Sequence, residues 1–109
     1  ISKIPYVREQ IGRLESKLIK AKRNLFSFAE DWENYPEQHE DILTEIGVVK
    51  TSSIDAAIEI TDLAIKVVGG VGLEKSRPLE RYFRDVRSGL FNPPIEARAL
   101  EQLASSILD

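Results

Sequence analysis

The part of this 109-residue sequence best suited to contact a ligand is a glycine cluster that is followed by a proline and an Arg-Asp pair. Residues 69–72 read Gly-Gly-Val-Gly at the end of a long helical pattern, and Pro78 and Arg84-Asp85 follow. Glycine ends helices in left-handed conformations and lets backbone approach another group closely, while proline suits a helix's first turn. The segment therefore predicts a helix end that can carry backbone to a ligand, and then a new helix.

Other reactive residue types form no recognisable catalytic constellation. The single histidine, His39, lies in a polar turn without a Glu-x-x-His partner, so a di-iron bundle and serine-histidine catalysis are both disfavoured. We interpret His39 as a surface or capping residue. Asp55, Glu59 and Asp62 share one helix face beside Lys66, a spacing that favours ion pairs over paired catalytic carboxylates. From the residues alone we predict neither a metal site nor a catalytic site.

Composition excludes several classes of protein. The net charge of −3 argues against a nucleic-acid surface, and the absence of cysteine excludes disulfides and thiolate metal sites. No apolar run approaches the roughly 20 residues that span a bilayer, and no secretory signal is visible. We therefore expect no membrane and no nucleic-acid partner, and a cytoplasmic location. Because the chain begins at Ile1 and contains no methionine, we interpret it as a fragment.

Apolar spacing predicts a long first helix from about residue 4 to residue 32. Apolar residues recur there every three or four positions: Ile4, Val7, Ile11, Leu14, Leu18, Ala21, Leu25, Phe28 and Trp32. A turn around Asn34-Tyr35-Pro36 follows. Because this connection is short, an antiparallel bundle is favoured over a coiled coil.

Three further helices complete the predicted fold. The second runs from about His39 to Val68, with small residues (Ser52, Ser53, Ala56 and Ala57) that admit a close neighbour. The third runs from about Arg77 to Phe91 and is expected to bury Leu79, Phe83, Val86 and Leu90. Asn92 is predicted to cap a fourth helix that has Pro93 at its first position and buries Ile95, Ala99, Leu103 and Ile107. The predicted fold class is all-α, an antiparallel four-helix bundle.

Charge is distributed unevenly along the chain. Residues 1–23 hold seven basic and two acidic side chains, whereas residues 24–49 hold seven acidic and no basic ones. We interpret both stretches as solvated helix faces, with the acidic residues favoured near the second helix's N-terminus by its dipole. The alternative is a basic docking surface beside an acidic one.

The order Gly-Gly-x-Gly, Pro78, Glu80 and Arg84-Asp85 resembles the C-terminal helical domain of the acyl-CoA dehydrogenase family. The match is specific for residues 69–87, and elsewhere it rests on the helical pattern. The resemblance implies that residues 1–109 are one C-terminal bundle domain of an FAD-dependent oxidoreductase. It also implies that the N-terminal helical domain, the β domain and the first bundle helix are absent from this chain.

By this resemblance, the glycine turn contacts the FAD of a neighbouring subunit. Gly69 and Gly70 would bring backbone to the diphosphate or adenosine part of the cofactor. The family's usual glutamine three residues earlier is replaced by Lys66, which could pair with a phosphate as a point charge. The alternative is that these glycines only cap the helix and that Lys66 is an ordinary exposed lysine. Arg84 and Asp85 are expected to fix the third helix through packing and ion pairs.

One departure from the family pattern affects the predicted chemistry. The resemblance implies a catalytic glutamate eight residues after Asp85, and that position holds Pro93, which cannot abstract a proton. Other members place the base on the domain's first helix. Asn92-Pro93-Pro94 is closer to the branch that resembles flavin-dependent monooxygenases of the dibenzothiophene monooxygenase type.

Three hypotheses about function therefore remain open. In the first, the longer protein from which this chain derives is an acyl-CoA dehydrogenase-like enzyme that acts on acyl-CoA or another small molecule. In the second, that protein is a flavin monooxygenase. In the third, the chain is a non-catalytic helical assembly module. The resemblance also implies a homo-oligomer, a dimer or a tetramer, with these helices at the subunit interfaces. We expect the chain by itself to be inactive.

Overall fold

The computed structural model describes residues 4–75 and 77–109, with side chains described for 4–69 and 78–109. These residues form five α-helices and no strand, so the all-α prediction is confirmed. The helices are α1 Pro5–Asn34, α2 His39–Ile42, α3 Glu45–Lys75, α4 Arg77–Asp85 and α5 Glu96–Leu108. Short 3-10 segments cover Pro36–Gln38 and Val86–Leu90. None of the described helices is both long enough and apolar enough to cross a membrane.

The first two long helices run antiparallel, as predicted. The side chain of Asn24 donates to Ser52 Oγ over 3.1 Å, and Lys17 Nζ lies 2.8 Å from Glu59 Oε2. Positions later in α1 thus meet positions earlier in α3. The apolar residues of α1 that recur every seventh position from Val7 are half-buried on this contact.

Very close approaches join α3 to the C-terminal part of the chain. A Cβ added to Gly47 would lie 2.6 Å from the Cβ of Ala99, and a Cβ added to Gly89 would collide with the Ile54 side chain. Gly47, Val49, Gly89 and Ala99 are the buried residues among the described side chains. The small core therefore lies where the N-terminal half of α3 meets α5 and the Val86–Leu90 segment.

The predicted second helix is divided, and its end is displaced. The break falls at Leu43 and Thr44, where the Ile46 N–H donates to the Leu43 carbonyl over 3.2 Å. Helical structure resumes at Glu45 and continues to Lys75, beyond the predicted end at Val68. Gly69 interrupts it with φ 76° and ψ 179°, so the predicted glycine break is present at Gly69.

The third and fourth predicted helices are shorter than expected. The α-helix that begins at Arg77 ends at Asp85 and tightens into the 3-10 segment. The prediction that Asn92 caps the last helix is wrong, because α5 begins at Glu96 with Ile95 at the N-cap position. Pro93 precedes Pro94, and a residue before proline is disfavoured in helical conformation. A helix therefore does not start at Pro93.

Some predicted core positions are also wrong. Leu79, Phe83, Val86 and Leu103 are half-buried and Ala99 is buried, in agreement with the prediction. Leu90, Ile95 and Ile107 are instead exposed, at 45%, 44% and 81%. The first two lie around the loop before α5 and Ile107 lies in the last turn of α5, where the described helices provide little cover.

Candidate functional site: the glycine turn after the long helix

Gly69 is the residue with positive φ in the described part of the chain. Its φ of 76° lies in the left-handed region, which residues with a Cβ enter only at a cost. Among the described residues, no heavy atom lies within 4 Å of the position that a Cβ would occupy. The backbone conformation therefore favours glycine here, and the described residues leave the position of a Cβ free.

Lys66 lies one helical turn before Gly69, on the same side of α3 by its spacing. Its Nζ is 3.1 Å from Asp62 Oδ2, and the lysine side chain is 69% exposed. Such an exposed pair contributes little to stability, so the ammonium can exchange Asp62 for another anion. Lys66 therefore lies one turn before Gly69, near the point where the helical backbone of α3 is interrupted. Gly70 lies outside the residues whose side chains are described.

Asp55 and Glu59, the other two carboxylates of the helix face that includes Asp62, have different surroundings. Glu59 pairs with Lys17 of α1, as the ion-pair interpretation expected. Asp55 lies beside a small cavity of about 20 Å³ that Lys50 and Glu96 also border, and it forms no ion pair with the described residues. Within the described residues, no group of three or more histidines and carboxylates could hold a metal ion.

Of the roles expected for the Arg-Asp pair, the described residues show an ion pair for Arg84 and no packing contact. Arg84 Nε lies 3.9 Å from Glu80 Oε1 within the same helix, and both side chains are more than half exposed. Asp85 is exposed as well, and its backbone carbonyl accepts a hydrogen bond from Ser88 Oγ at 2.7 Å. The expected ion pair is therefore present for Arg84, where it links two successive turns of α4 at the surface.

His39 caps the end of α1. Its Nε2 lies 2.6 Å from the Trp32 carbonyl, one of the last four carbonyls of that helix, which lack partners within the helix. The imidazole also stacks on the indole of Trp32, with ring centroids 3.7 Å apart and planes 8° apart. The capping interpretation of His39 is confirmed, and both contacts of its side chain are made with Trp32 near the end of α1.

Lys50 is a structural residue that the sequence did not indicate. Its Nζ donates hydrogen bonds to the Gly89 carbonyl at 2.5 Å and to the Asn92 carbonyl at 2.6 Å. The lysine ammonium thus satisfies carbonyl oxygens at and just after the end of the 3-10 segment. Lys50 thereby fixes the segment that precedes Pro93, the position where a catalytic glutamate is expected by resemblance. The side chain of Asn92 is exposed.

An apolar groove of about 390 Å³ runs between α1 and α4, with α3 as its floor. Its sides include Leu18 and Leu25 of α1 and Val86 after α4, and its floor includes Ser53 and Ala57. Ser53 Oγ is buried without a hydrogen-bond partner among the described residues. The groove agrees with the small residues noted in the sequence, which were expected to admit a close neighbour.

Comparison with known proteins identifies the family. Residues 1–90 match the family model described as "Acyl-CoA dehydrogenase, C-terminal domain". The chain is also 34% identical over 109 residues to the Bacillus subtilis (strain 168) protein named "Putative acyl-CoA dehydrogenase YdbM". That alignment covers all of this chain and 28% of the relative. Together with the all-α fold and the glycine break at the end of its long helix, these matches show that the chain belongs to the acyl-CoA dehydrogenase family, in the region of the C-terminal domain.

Proposed function

We propose that this chain is the C-terminal helical domain of an FAD-dependent acyl-CoA dehydrogenase-like oxidoreductase that works as a homo-oligomer. In this proposal the Gly69 turn contributes backbone to the flavin site of a neighbouring subunit. The observation that carries it is the conformation of Gly69, with positive φ and no described atom within 4 Å of where a Cβ would lie. The family membership supplies the reaction class.

The residues present fit a bound FAD at this turn. Gly69 offers backbone that a ligand can approach, and Lys66 offers a cation one turn away. The two would face the diphosphate or adenosine part of the cofactor, as would Gly70. Because Asp62 partly neutralises Lys66, the lysine contributes to anion binding only when it leaves that carboxylate. FAD, when bound, supplies the redox chemistry of this family.

We also propose that the apolar groove is covered by a further helix of the same polypeptide. The groove is almost entirely apolar and is open along one side. The chain spans about 28% of the length of the curated relative that it matches, so a whole protein of that size has ample sequence to supply such a helix. In this proposal Ser53 Oγ finds its partner on the covering helix.

A second candidate reaction is flavin-dependent oxygenation. The observation that favours it is Pro93, which occupies the position where the resemblance implies the glutamate base. No carboxylate is present from Val86 to Ile95, so this segment cannot provide an α-proton acceptor. A dehydrogenase would then need its base on a segment outside this chain, whereas a monooxygenase needs none here.

An anaerobic visible spectrum of the full-length polypeptide, before and after addition of a panel of acyl-CoA thioesters, tests the proposal. Bleaching of a bound flavin by one thioester supports the dehydrogenase and identifies its chain length. A bound flavin that stays oxidised with every thioester supports the monooxygenase. Absence of flavin, both as purified and after incubation with FAD, contradicts both and leaves a helical assembly module.

Point variants test the role of the glycine turn separately. Gly69→Ala should lower flavin retention, whereas Gly12→Ala, at an open helical glycine of α1, should leave it unchanged. Lys66→Glu should weaken FAD binding, and Lys66→Gln, the family's usual residue, should preserve it. Lys20→Glu, at an exposed lysine of α1, is the matched control for charge reversal. Equal flavin retention by all of these variants would refute the assigned role of the turn.

A further inference from the structure

The 3-10 segment Val86–Leu90 is held to α4 by its own side chains. Arg87 donates a hydrogen bond to the Phe83 carbonyl at 2.5 Å, and its guanidinium lies over the Phe83 ring. Ser88 Oγ donates to the Asp85 carbonyl at 2.7 Å. These bonds return to the last turns of α4, so the segment belongs to the same part of the fold as that helix.

Residues 91–109, which we call the C-terminal strap, have a less extensive attachment. They comprise the loop after the 3-10 segment and α5, and α5 lies against α3. Ala99 is buried, whereas three large apolar residues of α5 are each more than half exposed: Leu100, Ile107 and Leu108. The helix therefore packs along a narrow line, and the described residues leave these three side chains largely uncovered.

The apolar contact between the strap and α3 is tight but small. A Cβ added to Gly47 would lie 2.6 Å from the Ala99 Cβ and 3.8 Å from Pro94 Cγ. Burial of a glycine against an alanine removes little apolar surface from water, so it contributes little to holding the strap in place. A displacement of the strap by a few ångströms would lose the whole contact.

Lys50 of α3 links the strap to the rest of the fold. Its Nζ donates to the Gly89 carbonyl on the 3-10 segment and to the Asn92 carbonyl on the strap, at 2.5 and 2.6 Å. Glu96, the first residue of α5, borders the same small cavity as Lys50, so the strap also places a negative charge near the ammonium. Because hydrogen bonds from a charged donor are the stronger kind, this side chain is a main polar attachment of the strap.

We propose that the strap opens from α3 as one unit while α1, α3 and α4 stay packed, and that Lys50 is the clasp that keeps it closed. Proteins open locally in cooperative units, and the units that bury few apolar contacts open at a lower free energy than the whole fold. The strap has this character, because its closest attachments are a glycine–alanine contact and the bonds of one ammonium group.

Opening of the strap is compatible with the other contacts of the bundle. The polar contacts between α1 and α3 are made by Lys17 with Glu59 and by Asn24 with Ser52, outside the strap. Gly69 lies about six helical turns from the strap contact at Gly47 along α3. The proposal therefore does not rest on the function proposed for the glycine turn.

The strap would control the position of one sequence and the access to one surface. It includes Asn92, Pro93 and Pro94, so opening moves all three relative to α3 and α4. The surface that is uncovered on α3 includes Gly47, where no side chain separates the two helices. A single charged residue thus governs both events.

Hydrogen–deuterium exchange of the full-length polypeptide, followed by mass spectrometry, tests the strap. Amides of α5 should exchange together and about tenfold or more faster than amides in the middle of α1. Lys50→Met should accelerate the exchange of α5 by a further factor of about ten, with exchange of α1 changed by less than about twofold. Lys50→Arg should restore most of the protection, because a guanidinium can still donate to two carbonyls.

A second variant removes the apolar attachment and leaves Lys50 in place. The larger side chain of Ala99→Leu cannot fit against Gly47, so this variant should also accelerate the exchange of α5 and leave α1 unchanged. Lys20→Met is the matched control for Lys50→Met, because Lys20 is an exposed lysine of α1. It should leave the exchange of the strap unchanged.

The results that would overturn the proposal differ from those that bear on the flavin. Exchange of α5 as slow as that of α1 in the wild-type protein would refute the strap. Equal acceleration of α1 and α5 by Lys50→Met and Ala99→Leu would also refute it, because the bundle would then open as a whole. Unchanged exchange of α5 in Lys50→Met would refute the clasp. A wild-type protein without flavin would refute only the proposed oxidoreductase.

Discussion

Gly47 of α3 and Ala99 of α5 touch so closely that no side chain fits between the two helices. A Cβ on Gly47 would lie 2.6 Å from the Ala99 Cβ and 3.4 Å from its Cα. Real Cβ atoms do not approach that closely, and neither atom of Ala99 can move without moving α5. This contact fixes where the last helix lies against the long helix.

The substitution Gly47→Ala is expected to destabilise the chain despite alanine's higher helix propensity. Propensity gains about 1 kcal/mol, whereas overpacking against a helix backbone costs about 1–3 kcal/mol. Gly89→Ala should cost less, because its added Cβ meets the flexible end of Ile54. Urea midpoints of the two variants would check the order, and a more stable Gly47→Ala variant would contradict the close contact.

A second prediction concerns Gly69, whose φ of 76° is disfavoured for any residue with a Cβ. Gly69→Ala should lower the free energy of unfolding by about 1–3 kcal/mol, although its Cβ would meet no described neighbour. Gly12→Ala also meets open space but has ordinary helical backbone, so it should gain about 1 kcal/mol. Opposite shifts in thermal midpoint are therefore expected. Shifts of the same sign would contradict the positive φ of Gly69.

Lys50 should be among the more sensitive polar positions of the chain. Lys50→Met removes both donors to the Gly89 and Asn92 carbonyls, and we expect a loss of about 1–3 kcal/mol. Lys20→Met is the control, because Lys20 is exposed and has no hydrogen bond within the described residues. It should change stability by less than about 0.5 kcal/mol. Chemical denaturation of both variants would decide, and equal losses would refute the role of Lys50.

The His39 cap can be divided into its two interactions by substitution. His39→Ala loses the hydrogen bond to the Trp32 carbonyl and the stacking on the indole, and should cost about 1–2 kcal/mol. His39→Gln can keep a donor but not the stacked ring. Because Trp32 is the sole tryptophan, its fluorescence reports directly on the stack. Both variants should change the emission, and Gln should lose less stability than Ala.

Sequence periodicity predicted the helices well where packing follows a regular stripe. The antiparallel pairing of α1 with α3 and the break at Gly69 both follow from spacing and from glycine's backbone freedom. The end of the domain was predicted less well. Asn92 has a side chain suited to an N-cap. The consecutive prolines that follow it favour extended backbone, so the helix begins only at Glu96.

The contacts around the candidate site were predicted only in part, because several of them join residues far apart in sequence. Lys50 reaches carbonyls about 40 positions away, and no local pattern signals a lysine that binds backbone. Arg84 was expected to hold its helix in place, but its only described ion-pair partner is Glu80, one turn earlier. Lys66 and Gly69 were assigned from the family resemblance, in which a glutamine lies three residues before the first glycine, and their role at a flavin stays a prediction.

The small size of the buried core has a consequence for the life of the protein in a cell. The buried positions among the described side chains are Gly47, Val49, Gly89 and Ala99, and two of these four are glycines. So little buried apolar surface contributes little free energy of folding. Chains of low stability are continuously removed by proteases and held by chaperones. The described residues on their own should therefore be digested by proteases more readily than a bundle with a large buried core.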